Sequence, residues 1–114
     1  MPEYPKQSTI RDEKFLRNKR KNKKPCQKCG QTFNIEVAHI FSRGASGPDT
    51  EENTLYLCGP ASMQQGCHGG AHTGRVTQED LLEIKAKQLG LTIEELYRKI
   101  RIQMGYVRED EWFA

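Results

Sequence analysis

The side chains best suited to bind a metal ion or move a proton are four cysteines and three histidines, in a chain of 114 residues. A cysteine thiolate and a neutral imidazole are both ligands of Zn²⁺ and similar ions, and an imidazole also exchanges protons near neutral pH. This content predicts metal chemistry. The two residue types are interleaved along the chain as Cys26, Cys29, His39, Cys58, Cys67, His68 and His72.

The four cysteines are predicted to hold one structural zinc ion. A C-x-x-C spacing, as between Cys26 and Cys29, lets two thiolates reach the same ion. Cys58 and Cys67 are separated by eight residues. This is more than the usual spacing of about two to four, but the entropic cost of closing a loop grows only slowly with its length. The alternative is a set of separate, small, buried cysteines.

Two histidines four residues apart, His68 and His72, are predicted to share a second metal ion. This spacing places both imidazoles on one face of a helix. Gly69 and Gly70 lie between them, and each disfavours a helix by about 1 kcal/mol relative to alanine. The helix is therefore expected to be short. The alternative is a pair of histidines that face solvent.

Two short strands are predicted to position the first histidine. Residues 32–37 alternate between apolar and polar side chains, as a half-buried strand does, and lead towards His39. Residues 42–53 are rich in Gly, Pro, Asp and Thr and are predicted to form a loop. Residues 54–57 form a second strand. The two strands predict an antiparallel hairpin.

The C-terminal third is predicted to contain a pair of helices. Thr77 and Asp80 resemble a capping box, and Gly90 closes the helix that they open. Together with the hairpin, these helices predict an α+β fold. Trp112 and Phe113, in an acidic tail, are expected to dock on the domain. The second helix is indicated by a capping pair, an apolar helical pattern and a closing glycine: Thr92, Glu95, Ile93, Leu96, Ile100, Met104 and Gly105.

The first 24 residues are predicted to form a basic arm. They contain nine Lys/Arg against three Asp/Glu, a net charge of +6, whereas the remaining residues have a net charge of −3. Such asymmetry favours contact with a polyanion such as DNA, because each neutralised phosphate releases counterions. The alternative is a solvated tail that aids solubility. The residues predicted to contact phosphates are Arg17, Lys19, Arg20, Lys21, Lys23 and Lys24.

Length and composition predict one small domain with no membrane partner. The hydrophobic fraction is 35% and the charged fraction 29%, so a metal ion would offset a thin core. The N-terminus has no apolar segment typical of a secretory signal, and no run reaches the roughly 18 apolar residues of a membrane span. We therefore expect a cytoplasmic protein with reduced cysteines. The sequence leaves the oligomeric state open.

The order of these motifs resembles that of the HNH endonuclease family. The shared elements are the C-x-x-C pair, an Ala-His-Ile sequence at His39, then Asn53, a cysteine after the second strand, and a C-H-x-x-x-H cluster that starts at Cys67. The resemblance covers about residues 25–74. It implies a ββα-metal fold, in which a hairpin and a helix grip a metal ion, supported by a four-cysteine zinc site. The predicted regions are a basic arm (1–24), a zinc-stapled ββα-metal domain (25–75), and C-terminal helices with a tail (76–114).

The resemblance also implies a role for each site residue. His39 corresponds to the general base, and Asn53 to the residue that holds the intervening loop and orients that base. His68 corresponds to a ligand of the catalytic ion, and His72 to a second ligand. The alternatives are a fixed core or zinc-proximal histidine at position 39 and an ordinary loop-capping residue at position 53.

These roles imply a metal-dependent endonuclease that hydrolyses phosphodiester bonds in DNA. A neutral imidazole can take a proton from water near neutral pH, and a divalent ion stabilises the scissile phosphate. That ion would be Mg²⁺, Mn²⁺ or another divalent ion on His68 and His72, and imidazole ligands favour Mn²⁺, Ni²⁺ or Zn²⁺ over Mg²⁺. Arg43 could clamp a phosphate near the cut, or be a surface arginine. By the family's precedent, the products carry 5′-phosphate and 3′-hydroxyl ends.

Ala38 departs from the family pattern, in which the residue before the base is commonly an acid or a histidine that binds the metal. Glu36 lies two residues earlier on the same strand face. It could be a ligand, a group that supports a ligand, or an exposed carboxylate. A rival function is a non-catalytic, zinc-containing nucleic-acid-binding module that has lost this metal site. A protein-binding adaptor that uses the C-terminal helices is a third hypothesis.

Overall fold

A computed structural model of the chain describes residues 9–106, which form four α-helices and a two-stranded antiparallel sheet. This confirms the α+β class. Trp112 and Phe113 lie outside the described residues. In chain order the elements are α1 (Glu13–Lys21), β1 (Ile35–His39), β2 (Thr54–Cys58), α2 (Gly66–Thr73), α3 (Gln78–Leu89) and α4 (Ile93–Met104).

The predicted hairpin is confirmed, with a later start to its first strand. β1 pairs with β2 so that Ile35 lies opposite Cys58 and His39 opposite Thr54. Every residue of β2 is buried. The first strand begins at Ile35 because Asn34 has a φ of +54°, and this left-handed conformation interrupts extended backbone. His39 is consequently the last residue of its strand.

Residues 42–53, predicted as a loop, contain two short 3₁₀ turns, Arg43–Ala45 and Glu51–Asn53. Ser42 caps the first turn by accepting a hydrogen bond from the Ala45 amide. The loop therefore leaves the end of β1 and returns to the start of β2 by a defined path. This path brings loop residues back against His39.

The N-terminal segment contains a helix that packs on the sheet. Asp12 caps α1 by accepting a hydrogen bond from the Phe15 amide, and the side chain of Leu16 is fully buried. The hydroxyl of Tyr56, on β2, shares its proton between the carbonyls of Lys19 at 2.7 Å and Asn22 at 3.0 Å. The predicted basic arm thus includes an element that is bonded to the folded body.

Helix α2 is short, as its glycines predict, and one of those glycines is required by packing. A Cβ atom at Gly69 would lie 2.3 Å from the carbonyl carbon of Gln64, closer than packed atoms approach. The missing side chain allows α2 to lie against the 3₁₀ turn Ala61–Met63. The cost in helix propensity therefore permits a close contact.

The two C-terminal helices begin and end as predicted. Reciprocal capping boxes open α3 at Thr77 and α4 at Thr92, and Gly90 and Gly105 follow their last turns in left-handed conformations. On α4, Leu96, Ile100 and Met104 are buried in the core, whereas Ile93 is 37% exposed.

No membrane-crossing helix was found in residues 9–106, since none combines the length and apolar character that a bilayer span requires.

Candidate functional site

The four cysteines converge on one point, as predicted. Their Sγ atoms all lie within 4.8 Å of one another, and those of Cys29 and Cys58 are 3.7 Å apart. In a tetrahedral site with Zn–S bonds of about 2.3 Å, the sulfur atoms are separated by about 3.8 Å. The cluster Cys26, Cys29, Cys58 and Cys67 could therefore hold a metal such as zinc.

Three different elements bring these sulfur atoms together. Cys26 and Cys29 occupy a tight turn in which the Gly30 amide donates to the Cys26 carbonyl at 2.9 Å. Cys58 is the last residue of β2, and Cys67 lies in the first turn of α2. The long spacer between Cys58 and Cys67 contains a 3₁₀ turn that leads the chain back to the end of β2.

Backbone amides support negative charge on the sulfur atoms. The Cys67 amide donates to Cys58 Sγ at 3.3 Å, and the Cys29 amide to Cys26 Sγ at 3.5 Å. Burial raises the pKa of Cys26, but hydrogen bonds from the amides of Cys29, Cys58 and Lys28 outweigh it and lower the pKa to about 6. Burial raises the pKa of Cys58 and Cys67. A bound zinc ion would require all four sulfur atoms to be deprotonated.

All three histidines line a single cleft of about 400 Å³, which we call the histidine cleft. The rings of His68 and His72 meet edge to face, with their centroids 4.8 Å apart. His39 enters the same cleft from the end of β1. The remaining walls are formed by residues of the loop, of α2 and of the start of α3: Ile40, Ser42, Ala45, Ala71, Val76, Gln78 and Leu81.

His39 is held by a buried carboxylate. Its Nε2 atom lies 2.9 Å from Oδ1 of Asp49, whose side chain has no exposed surface. The other oxygen of Asp49 accepts a hydrogen bond from the Asp12 amide at 3.0 Å, and the guanidinium groups of Arg11 and Arg43 lie 3.3–3.4 Å from the carboxylate. With Asp49 ionised, Nε2 carries the proton and Nδ1 is left as the basic nitrogen.

The electrostatics favour a neutral His39 beside an ionised Asp49. Burial lowers the pKa of His39 below 6.5, and the charges of Arg43 and Arg11 lower it further, against the raising effect of Asp49. Burial raises the pKa of Asp49, but the hydrogen bonds from His39 and the Asp12 amide and the charge of Arg43 bring it below its usual range. At neutral pH the imidazole can therefore accept a proton.

Asn53 ties the two ends of the loop together. Its Oδ1 atom accepts from the Phe41 amide at 2.8 Å, and its Nδ2 atom donates to the carbonyls of Phe41 and Pro48, both at 3.0 Å. Its own carbonyl accepts from the Ile40 amide at 2.8 Å. The side chain is fully buried. Asn53 thereby fixes the segment that carries Asp49 to His39.

Glu36, on β1, contacts His68, on α2. Its Oε1 atom lies 2.8 Å from Nδ1 of His68 and accepts from the Ala61 amide at 2.9 Å. Burial raises the pKa of Glu36, but the hydrogen bonds from the Ala61 amide and from His68, together with the electrostatic attraction of His68, outweigh burial and lower the pKa. A Cβ atom at Gly59 would lie 2.2 Å from Oε1 and 2.9 Å from the Ala61 amide nitrogen, so a larger residue there would displace this carboxylate. A carboxylate on one imidazole nitrogen leaves the other nitrogen to a ligand.

The histidine cleft offers fewer metal ligands than the cysteine cluster. Among residues 9–106, the four cysteines are the only group of three or more Cys, His or acidic side chains whose ligand atoms converge. Ala38 is buried and has no ligand atom. A divalent ion held by two of the imidazoles would need oxygen ligands, such as water, at its remaining positions.

The structure corrects one member of the predicted phosphate-binding set. The Lys19 side chain is 6% exposed, and its ammonium donates to Glu51 Oε2 at 3.0 Å and to Thr54 Oγ1 at 2.8 Å. Burial lowers its pKa. Lys85, also buried, donates to the other oxygen of Glu51 at 2.6 Å. Lys19 joins α1 to the loop and cannot reach a phosphate from this position.

The other predicted phosphate contacts lie at the surface. Arg43 is 47% exposed and contacts Glu13 as well as Asp49. The sequence did not predict a role for Asp49. This acid follows Pro48 in the loop, and no motif there indicates a contact with His39. The exposed members of the predicted set are Arg17, Arg20, Lys21, Lys23 and Lys24.

Comparisons of the chain with models of known protein families, with curated proteins and with solved structures found no match.

Proposed function

We propose that this chain is a metal-dependent DNA endonuclease with an HNH-type ββα-metal site. The observation that carries the proposal is the histidine cleft, in which the three imidazoles meet and two of them rest on carboxylates. A hydrolase of phosphodiesters needs both a base for water and a cation near the phosphate. His39 and the pair His68 and His72 supply residues suited to these two needs.

His39 would take the proton from the attacking water at Nδ1. Asp49 keeps Nε2 protonated and would stabilise the imidazolium that forms, since its carboxylate lies 2.9 Å from that nitrogen. Burial keeps the imidazole neutral before the reaction. Asn53 acts at one remove, because it holds the loop that presents Asp49.

His68 and His72 would hold the divalent ion, and Glu36 would orient His68 through Nδ1. Such an ion neutralises charge on the scissile phosphate and on the leaving oxygen. The coordination sphere of the ion would be incomplete, because two imidazoles leave several positions for water and substrate. Zinc in the cysteine cluster would hold the end of β2 against the start of α2.

One observation favours a second function, a zinc-containing nucleic-acid-binding module without catalysis. Position 38, where the family commonly carries a metal ligand, holds a buried alanine, and Glu36 is bonded to His68 and Ala61. Without that ligand, the histidine cleft would bind a divalent ion more weakly, whereas the cysteine cluster would be unaffected.

Nicking of supercoiled plasmid in Mn²⁺ or Mg²⁺ separates the two functions. We expect nicking by the wild-type chain and a fall of about 10²- to 10⁴-fold in His39→Ala, the range for loss of a general base. Zinc content near one ion per chain would show that this variant is folded. Lys87→Ala, an exposed change on α3, is the matched control and should nick like wild type. DNA binding without nicking in either ion would favour the binding module.

A further inference from the structure

A second cleft, of about 520 Å³, has Glu36 in its wall. Lys23 and Lys24 line it, with Thr32, Asn34 and Glu36 among the other walls. We call it the lysine cleft. Glu36 is bonded to His68 at 2.8 Å, and His68 lines the histidine cleft. The two clefts therefore adjoin across a single hydrogen bond.

The lysine cleft is suited to an anion. Its two lysines are exposed, and its one carboxylate, Glu36, already accepts hydrogen bonds from His68 and from the Ala61 amide. The ammonium groups of Lys23 and Lys24 therefore outnumber the carboxylate, which has other partners. A chain of phosphates that leaves the histidine cleft over the Glu36–His68 pair would meet these lysines next.

An exposed aromatic residue lies in the chain between two residues that line this cleft. Phe33 is 64% exposed, and its neighbours Thr32 and Asn34 both line the cleft. The backbone at Phe33 and directly after it is fixed: Gln31 Nε2 donates to the Phe33 carbonyl at 2.8 Å, and the Gly59 amide donates to the Asn34 carbonyl at 2.7 Å. A large apolar side chain is thus held in solvent by an ordered segment rather than by a loose tip.

From this juxtaposition we infer that the lysine cleft and Phe33 bind an unpaired DNA strand beside the scissile phosphate. An aromatic ring can stack on a base only where that base exposes its face, which bases inside a continuous duplex do not. Lysines that follow the backbone complete the pattern of single-strand binding sites. The substrate class is then single-stranded or branched DNA. The position relative to the cut rests on the proposed function, whereas strand binding does not.

The test measures DNA affinity in the His39→Ala chain, so that cleavage does not intervene. Fluorescence anisotropy would use a labelled oligothymidine of about 12 nucleotides, within the usual range of site sizes, and a blunt duplex of equal length. We expect Phe33→Ala to weaken binding of the single strand by about 5- to 100-fold, the range for loss of one stacked base. Binding of the duplex should change less than about two-fold.

Two further substitutions at this position identify the contact. Phe33→Trp keeps a flat ring and should bind within about two-fold of the parent chain, whereas Phe33→Leu keeps apolar surface and should resemble Phe33→Ala. Tyr106→Ala is the matched control, because it removes a 42% exposed ring that lines neither cleft. It should leave both affinities unchanged.

The lysines are tested by salt dependence. Removing both in Lys23→Ala/Lys24→Ala should reduce the slope of log affinity against log salt for the single strand by about 1.4, because each phosphate contact contributes about 0.7. Lys87→Ala/Lys99→Ala removes two exposed lysines from α3 and α4 and should leave the slope unchanged.

Three results would overturn the inference: unchanged single-strand affinity in Phe33→Ala, an equal loss on duplex and single strand, or a lowered melting temperature that shows Phe33 to be covered within the chain. These outcomes are distinct from failure of the proposed function. If the chain nicks plasmid but Phe33→Ala leaves single-strand binding unchanged, only this inference is wrong. If the chain never nicks but Phe33→Ala weakens single-strand binding, only the proposed endonuclease activity is wrong.

Discussion

The cysteine cluster and the histidine cleft contain the same kinds of ligand atom but are organised differently. The four sulfur atoms lie within 4.8 Å of one another, and backbone amides donate to two of them. In the cleft, two of the imidazoles are instead each held by a carboxylate from a distant position in the chain, at 2.9 Å for His39 and 2.8 Å for His68.

This difference separates a closed ligand set from an open one. Four converging thiolates would occupy all four positions of a tetrahedral ion and leave none for a substrate, which is the arrangement of a structural site. An ion on His68 and His72, of which His68 has a carboxylate partner, would keep positions open, which is the arrangement of a reactive site. We therefore expect damage to the first region to appear in folding and damage to the second to appear in metal use and rate.

The largest effect is expected from Cys58→Ser. Binding of a structural zinc ion contributes about 10 kcal/mol or more in small domains, as much as the whole free energy of unfolding of a typical protein. The variant should lose stoichiometric zinc and its cooperative thermal transition, read by zinc analysis and circular dichroism. His72→Ala, which changes the cleft instead, should keep one zinc per chain. A zinc-free Cys58→Ser chain that melted like wild type would contradict a structural role for the cysteine cluster.

The sequence predicted those parts of the molecule that depend on residue type and local spacing. The hairpin follows from alternation and loop composition, and both C-terminal helices follow from their caps and glycines. Convergence of Cys58 and Cys67 could be anticipated from the chemistry of thiols, although their spacing is unusual. These features need few long-range contacts to be specified.

The sequence did not predict the carboxylate and lysine contacts that join separate elements. Asp49 reaches His39 only because Asn53 folds the loop back, and Asp12, from before α1, completes its hydrogen bonds. Lys19 looked like part of a cationic run, yet it lies on the buried side of α1 against Glu51. A spacing rule cannot identify such partners, because each depends on how separate elements pack.

An intermediate effect is expected from Glu36→Gln. The amide keeps the size of the side chain but removes the negative charge beside His68. Loss of such a partner typically costs about 10- to 100-fold in metal affinity, so the Mn²⁺ concentration for half-maximal nicking should rise by that factor. Zinc content and melting temperature should hold.

Glu83→Gln, an exposed change on α3, is the matched control for the loss of one carboxylate. An unchanged Mn²⁺ requirement in Glu36→Gln would remove Glu36 from the support of His68. Loss of zinc in the same variant would mean that the two regions are not independent.

The smallest effect, and the most specific, is a pair of opposite shifts in the pH dependence of nicking. The acid limb of the rate profile reports protonation of the base, and the pKa of His39 lies below 6.5. Asp49 raises that pKa, whereas Arg43 lowers it. Asp49→Asn should therefore move the acid limb to lower pH, and Arg43→Gln should move it to higher pH.

The direction of these shifts distinguishes a role in orienting the base from a purely structural one. Asp49→Asn also leaves the tautomer of His39 less fixed, so its maximal rate should fall by about 10-fold or more. If Asp49 only stabilised the loop, the rate would fall without displacement of the limb. If His39 were not the base, neither variant would move it. Profiles measured at saturating DNA and Mn²⁺ keep any weaker DNA binding by Arg43→Gln out of the comparison, so a displacement reports the imidazole itself.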